Sequence, residues 1–263
     1  RLIQYSLSSF MMNVLERRST FALSSIFALR MLGLFMIIPV FSVAGQTYEY
    51  ATPALLGLAV GIYGLTQAIL QIPFSLIADR YSRKPLVVFG LLLFALGGAI
   101  AAMSDTIYGV IIGRAIAGGG AVSAVVMALL ADVTREENRM KAMATMGMSI
   151  GVSFAVAFSL GPWLTGLVGI SGLFWVTTIM GLAAISMLFL VPKVTRHHRN
   201  YQQGYLAQLK QVLKMGDLNR LHVSVFSLHL LLTAMFIYVP SQLIDFAKIP
   251  LNSHGWVYLP LLV

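Results

Sequence analysis

Long apolar runs separated by short polar gaps dominate the chain. Seven runs reach the roughly 20 mostly apolar residues that a spanning helix needs: 20–44, 53–78, 85–104, 107–131, 142–164, 170–191 and 221–243. An eighth begins near His254. Several runs hold an internal Gly or Pro, which membrane helices tolerate. None shows the short alternating segments of a porin-type strand. The gaps at 45–52, 79–84, 105–106, 133–141 and 165–169 are short and predict antiparallel neighbours. The gap at 192–220 is long and basic, with Tyr205, Leu206, Leu209, Val212 and Leu213 at helical spacing. It reads either as a short amphipathic helix on the membrane surface or as a solvated loop. The pattern divides into a segment at 1–19, a six-helix bundle at 20–191, the linker at 192–220, and a seventh span with the start of an eighth at 221–263. Met11 or Met12 is a candidate start, which would leave residues 1–11 outside the native chain.

Charge sets the orientation. Fifteen of the 18 Lys and Arg residues fall in alternate gaps, and the gaps between hold only Lys248. Cytoplasmic loops retain Lys and Arg, so the N-terminus and the 192–220 linker are placed in the cytoplasm. The net charge of +9 is therefore no sign of nucleic acid, because it is spread over four short loops on one side. Hydrophobic residues make up 58% of the chain and charged ones 10%, far from a soluble domain. With no cysteine, disulfides and thiolate metal sites are absent. Arg30 and Arg114 lie inside apolar runs, where a charge is expensive and usually functional.

The first three spans echo the next three. Each set opens with a span carrying an arginine, Arg30 or Arg114. Each continues with G-x-x-x-G, Gly57/Gly61 or Gly147/Gly151, followed by a late proline, Pro73 or Pro162. The two triplets enter from opposite sides, as in the inverted repeats of secondary transporters. Close helix packing explains the same glycines equally well.

Between spans two and three runs Ser75-Leu76-Ile77-Ala78-Asp79-Arg80-Tyr81-Ser82-Arg83-Lys84-Pro85-Leu86. Asp79 closes one helix, Arg83 lies within reach across a tight turn, and Pro85 suits the first turn of the next helix. This stretch resembles the G-x-L-x-D-R-x-G-R-K/R signature of the major facilitator superfamily, with Ser75 and Ser82 replacing its two glycines. Arg114-Ala115-Ile116-Ala117-Gly118-Gly119-Gly120 resembles the family's R-x-x-Q-G-x-G, with Ala117 replacing Gln. Gly161-Pro162-Trp163-Leu164-Thr165-Gly166 resembles its antiporter motif G-P-x-x-G-G, with Thr165 replacing Gly. The stretches around Arg30 and Tyr63 look like the drug/proton-antiporter-like members.

The resemblance implies an all-α, multi-pass major facilitator fold. The chain would hold a six-helix N-terminal bundle of two inverted three-helix repeats and the beginning of a second bundle. It also implies that Asp132 joins Asp79 and Arg83, with Arg80 and Lys84 nearby, in a charge cluster that latches one conformation. Asp132 at a helix C-terminus opposes its own helix dipole, which argues for an external cation. Its alternatives are a plain cap or a pair with Arg135. Ser82 tolerates left-handed geometry less well than glycine, so an altered turn is expected there.

Coupling or substrate candidates are Arg30, Arg114, Gln67, Gln71, Tyr63 and His229, with Asn13 a weaker one. Gln67 and Gln71 share a helix face, and His229 titrates near physiological pH. Each has a structural alternative, a satisfied buried or helix-bonded side chain. Gly118, Gly120, Gly161 and Pro162 join the four repeat glycines as packing or motif positions. No metal site, no cofactor and no phosphate-cradling loop is read from the sequence, and no cluster suited to an enzyme. The expectation is a monomeric secondary transporter in a bacterial inner membrane. It would export or exchange a small molecule by rocker-switch alternating access, with a proton gradient as energy source. The alternative is a substrate sensor of the same fold.

Overall fold

The computed structural model describes residues 12–192 and 210–262, and the predicted surface helix of the linker lies outside them except for helical residues 210–213. The helices are α1 (Val14–Ala44), α2 (Pro53–Arg80), α3 (Arg83–Ala102), α4 (Ile107–Gly119), α5 (Ser123–Val133), α6 (Glu136–Met187), α7 (Gly216–Asp245) and α8 (His254–Leu262). Several start earlier than the apolar runs. Asn13 and Glu16 form a reciprocal capping box that begins α1 at Val14. Glu136 and Glu137 occupy the first turn of α6, and Asp217 that of α7, where acids favour the helix dipole. Hydropathy marks the membrane, whereas caps mark the helix.

The run at 107–131 is not one helix. It breaks between α4 and α5 at residues 120–122, all three buried. Non-helical backbone at membrane depth requires such cover. The runs at 142–164 and 170–191, in contrast, are joined without a loop. The 52 residues of α6 would measure roughly 78 Å if straight, more than twice a bilayer core of about 30 Å. The helix breaks at Gly169, with φ 70 and ψ 179. Ala142, Met146, Ala184 and Leu188 share one hydrophobic cluster, while Ala157, Ile170, Leu173 and Phe174 share another. The chain has therefore reversed, and α6 is a pair of spans hinged on one residue. That backbone region is essentially reserved for glycine, at a strain of about 1–3 kcal/mol for other residues. Gly169→Ala is expected to lower the thermal midpoint by several degrees although no atom lies within 4 Å of the new methyl. An unchanged midpoint would show that the turn accepts another geometry.

Apolar contact gains little between helices in lipid, so close backbone approach and hydrogen bonds hold the bundle. Gly97 of α3 meets Gly113 of α4 across a crossing at which a Cβ on Gly97 would stand 2.7 Å from the Ala117 Cβ. Gly118 abuts Tyr63 of α2, Gly120 abuts Gly90 of α3, and Gly161 abuts Met36 of α1. Thr177 donates to the Gly33 carbonyl at 3.2 Å and Thr178 to that of Ala95 at 3.3 Å, tying α6 to α1 and α3. Pro162 is buried within α6. Gly57, Gly61, Gly147 and Gly151 make no such approach to another described helix. A Cβ on any of them meets nothing within 4 Å, because they lie on faces of α2 and α6 that no described helix approaches closely.

Candidate functional site

Three groups of chemistry-bearing residues emerge. The first lies at the cytoplasmic end. Only Tyr81 and Ser82 separate α2 from α3. Arg83 forms ion pairs with Asp79 at 3.6 Å and with Asp132 at 3.0 Å. It thus joins the end of α2, the start of α3 and the end of α5. Ser82 has φ −63 and ψ 132, ordinary extended backbone, so the expected disturbance of the turn is absent. Ser75 donates to the Gln71 carbonyl one turn back. Lys84 turns instead to the end of the sixth span, donating to the Val191 carbonyl, and Arg80 is exposed.

A neighbouring network went unseen in the sequence. Glu16 on α1 is 3% exposed. Its carboxylate accepts from the Arg135 backbone N–H at 2.8 Å, from Arg135 Nε and Nη2 at 3.1 Å each, and from Asn138 at 3.2 Å. It also accepts from the Asn13 N–H at 2.9 Å. Asn13 is therefore a helix cap and not a cavity residue. The bonds to Glu16 hold the Arg135 guanidinium above its ordinary range. The available signal was the N-x-x-E capping box, which showed where Glu16 sits but not its partner.

The second group is intramembrane. Arg30 is 2% exposed. Its Nη1 donates to Ser123 at 2.7 Å, and its Nη2 to the Tyr63 hydroxyl at 2.8 Å and to Gln67 at 3.3 Å. Ser123 opens α5 just after the break in the fourth span, so Arg30 links α1, α2 and that break. Arg114, equally buried, donates to the Ala59 carbonyl. The two guanidinium carbons lie 6.0 and 5.5 Å from the Tyr63 ring centroid, and Arg30 also faces Phe94 at 5.8 Å. Cation–π contact is worth about 2 kcal/mol when desolvated. Hydroxyls, carbonyls and rings thus surround both cations, with no carboxylate in an ion pair to either among the described residues. The void beside Arg114 measures about 10 Å³, room for at most one water. Gln71 is half-buried one turn beyond Gln67 and is not among the partners of Arg30. His229 is exposed on α7 and bonded to its own helix at the Val225 carbonyl.

The third group is the seam between the six-span bundle and α7 with α8. Phe236 of α7 packs on Phe158 at 4.0 Å and near Tyr258 of α8 at 5.6 Å, and Phe35 of α1 meets Phe154 at 5.0 Å. All belong to the outer half. In the cytoplasmic half of α7, residues 221–231 are exposed without exception. A cavity of about 480 Å³ opens at the outer end between α1, α2 and α7, lined by Phe41, Thr52, Gly57 and Ser241 among others.

The sequence model of the Major Facilitator Superfamily matches residues 23–263. The chain belongs to this family. As a major facilitator protein it is 47% identical over 246 residues to the inner membrane transport protein YajR of Escherichia coli (strain K12), covering 93% of the chain and 54% of that relative. A class H tetracycline resistance protein of Pasteurella multocida is 38% identical over 114 residues, 43% of the chain and 28% of that protein. The chain thus spans about half the length of YajR. Among solved structures, a bacterial homologue of the human lysosomal transporter Spinster superposes with a TM-score of 0.81 at 14% identity, over 96% of the chain and 60% of that structure. The fold is that of major facilitator transporters, and the protein is a multi-pass inner membrane protein.

Proposed function

We propose that the protein works as part of a secondary active transporter that moves a small molecule by rocker-switch alternating access, in the direction of efflux or exchange and driven by protons. One observation carries this reading. The six-span bundle meets the start of a second bundle through a seam of aromatic residues at the outer end, the kind of inter-bundle contact that alternating access makes and breaks. The relationship to YajR and to a resistance protein supports transport and an outward direction. Within it, Asp79, Arg83 and Asp132 serve as the conformational latch. Arg30 and Arg114, both buried, act by positioning helices through Tyr63.

The test is flux in proteoliposomes containing the full-length protein, with and without an imposed pH gradient. Drug-like cations and neutral amphiphiles form the panel. Accumulation that rises several-fold with the gradient is expected. Flux indifferent to the gradient would remove proton coupling, and no flux across a broad panel would favour a sensor.

A further inference from the structure

The turn between α5 and α6 is held from two sides. Asp132, in the last turn of α5, is held by Arg83 from α3. Arg135, which begins α6, is held by Glu16 from α1 through its backbone N–H and two side-chain nitrogens. Only Val133 and Thr134 separate the two attachment points. Thr134 is buried and bonded back to the Leu130 carbonyl, so the connection has little slack. Asn138, fully buried on the first turn of α6, adds a further bond to the same carboxylate. A carboxylate so buried persists only when its charge is met by donors, and here the donors all come from residues at the start of α1 and α6.

We infer that Glu16 is a positioning residue for the latch. Its carboxylate fixes where α5 ends, and through that placement sets the reach of Asp132 to Arg83. The inference rests on the latch reading of Asp79, Arg83 and Asp132. Without the charge on Glu16, Arg135 loses three charge-assisted bonds at once, and the short connection frees the end of α5. The ion pair between Arg83 and Asp132 then forms in a broader range of geometries and favours its own conformational state less.

The experiment uses the full-length protein in proteoliposomes, spin-labelled at Phe89→Cys on α3 and Val223→Cys on α7, both exposed positions. Pulsed distance measurements give the ratio of inward to outward states. Glu16→Gln and Asp132→Asn should each shift this ratio in the same direction, by roughly tenfold, the scale of one charged hydrogen bond. The double variant should shift it no further than the larger single one, since coupled sites are not additive. A Glu16→Gln protein that melts earlier yet keeps the parent ratio, or a double variant whose shift is the product of the singles, would make Glu16 a mere brace and overturn the inference. An Asp132→Asn protein with the parent ratio would instead remove the latch itself, and the role of Glu16 with it. Arg135→Lys keeps the charge and loses the forked geometry. It should give an intermediate shift, and it decides the matter if Glu16→Gln does not fold.

Discussion

Gly97→Leu is expected to cost the protein its fold. The new side chain would stand against the Gly113 carbonyl oxygen and within 2.7 Å of the Ala117 Cβ. Overpacking costs about 1–3 kcal/mol when side chains can move aside. Here the obstacle is backbone of α4, so relief requires separating two helices, and the cost lies at or above the upper end of that range. Against a total stability of about 5–15 kcal/mol, the variant should lose most monodisperse protein in detergent and melt well below the parent. Gly61→Leu in the same chain provides the contrast, because a Cβ there meets nothing within 4 Å. Equal melting points for the two variants would show that the crossing of α3 and α4 is not what holds the bundle.

Arg30→Met should have the opposite profile: a folded protein that does not transport. Removing Arg30 avoids the cost of a stranded counter-charge but leaves its polar partners each one hydrogen bond short. Its partners are hydroxyls, a side-chain amide and rings, so no carboxylate in an ion pair with Arg30 is left stranded among the described residues. The melting point should therefore fall by a few degrees without loss of the fold. Flux should fall on the order of 100-fold, equivalent to about 3 kcal/mol, because α1, α2 and the break before α5 would no longer be joined through one group. Flux within a factor of two of the parent would reduce Arg30 to a structural residue.

The spans were legible because lipid imposes a single requirement on every turn of a crossing helix. Helix ends were less so. Asn13 and Glu16 formed a readable cap, but hydropathy placed the first span at residue 20. The loopless reversal at Gly169 was read as a five-residue link, since glycine announces freedom without saying how the chain uses it. Glycine spacing does not by itself name a partner. Gly57/Gly61 and Gly147/Gly151 have the motif and open space. Gly97 with Ala101 and Gly113 with Ala117 have the same small-x-x-x-small spacing and make the contact. Spacing marks a face that permits approach, whereas the partner is chosen by the whole bundle. The pairing of Arg83 with Asp132 was anticipated from resemblance alone. Glu16 and Arg135, 119 residues apart, share no local pattern. The burial of Arg30 among hydroxyls and rings depends on the break at 120–122, which an unbroken apolar run concealed.

That burial also bears on how the protein is made. The partners of Arg30 lie 33, 37 and 93 residues further along the chain. Synthesis proceeds at about 5–20 residues per second, so Ser123 leaves the ribosome about 5–20 s after Arg30. Until Tyr63 follows, about 2–7 s after Arg30, the first span holds an arginine with none of its final partners, and Ser123 is missing for the whole interval. A central arginine costs about 2.5–3.5 kcal/mol on the scale of translocon insertion, and the leucines, isoleucines and phenylalanines around it must offset this unaided. The apolar excess of the first span is thus a requirement of biogenesis: it carries the charge into the bilayer before the site that will house it exists.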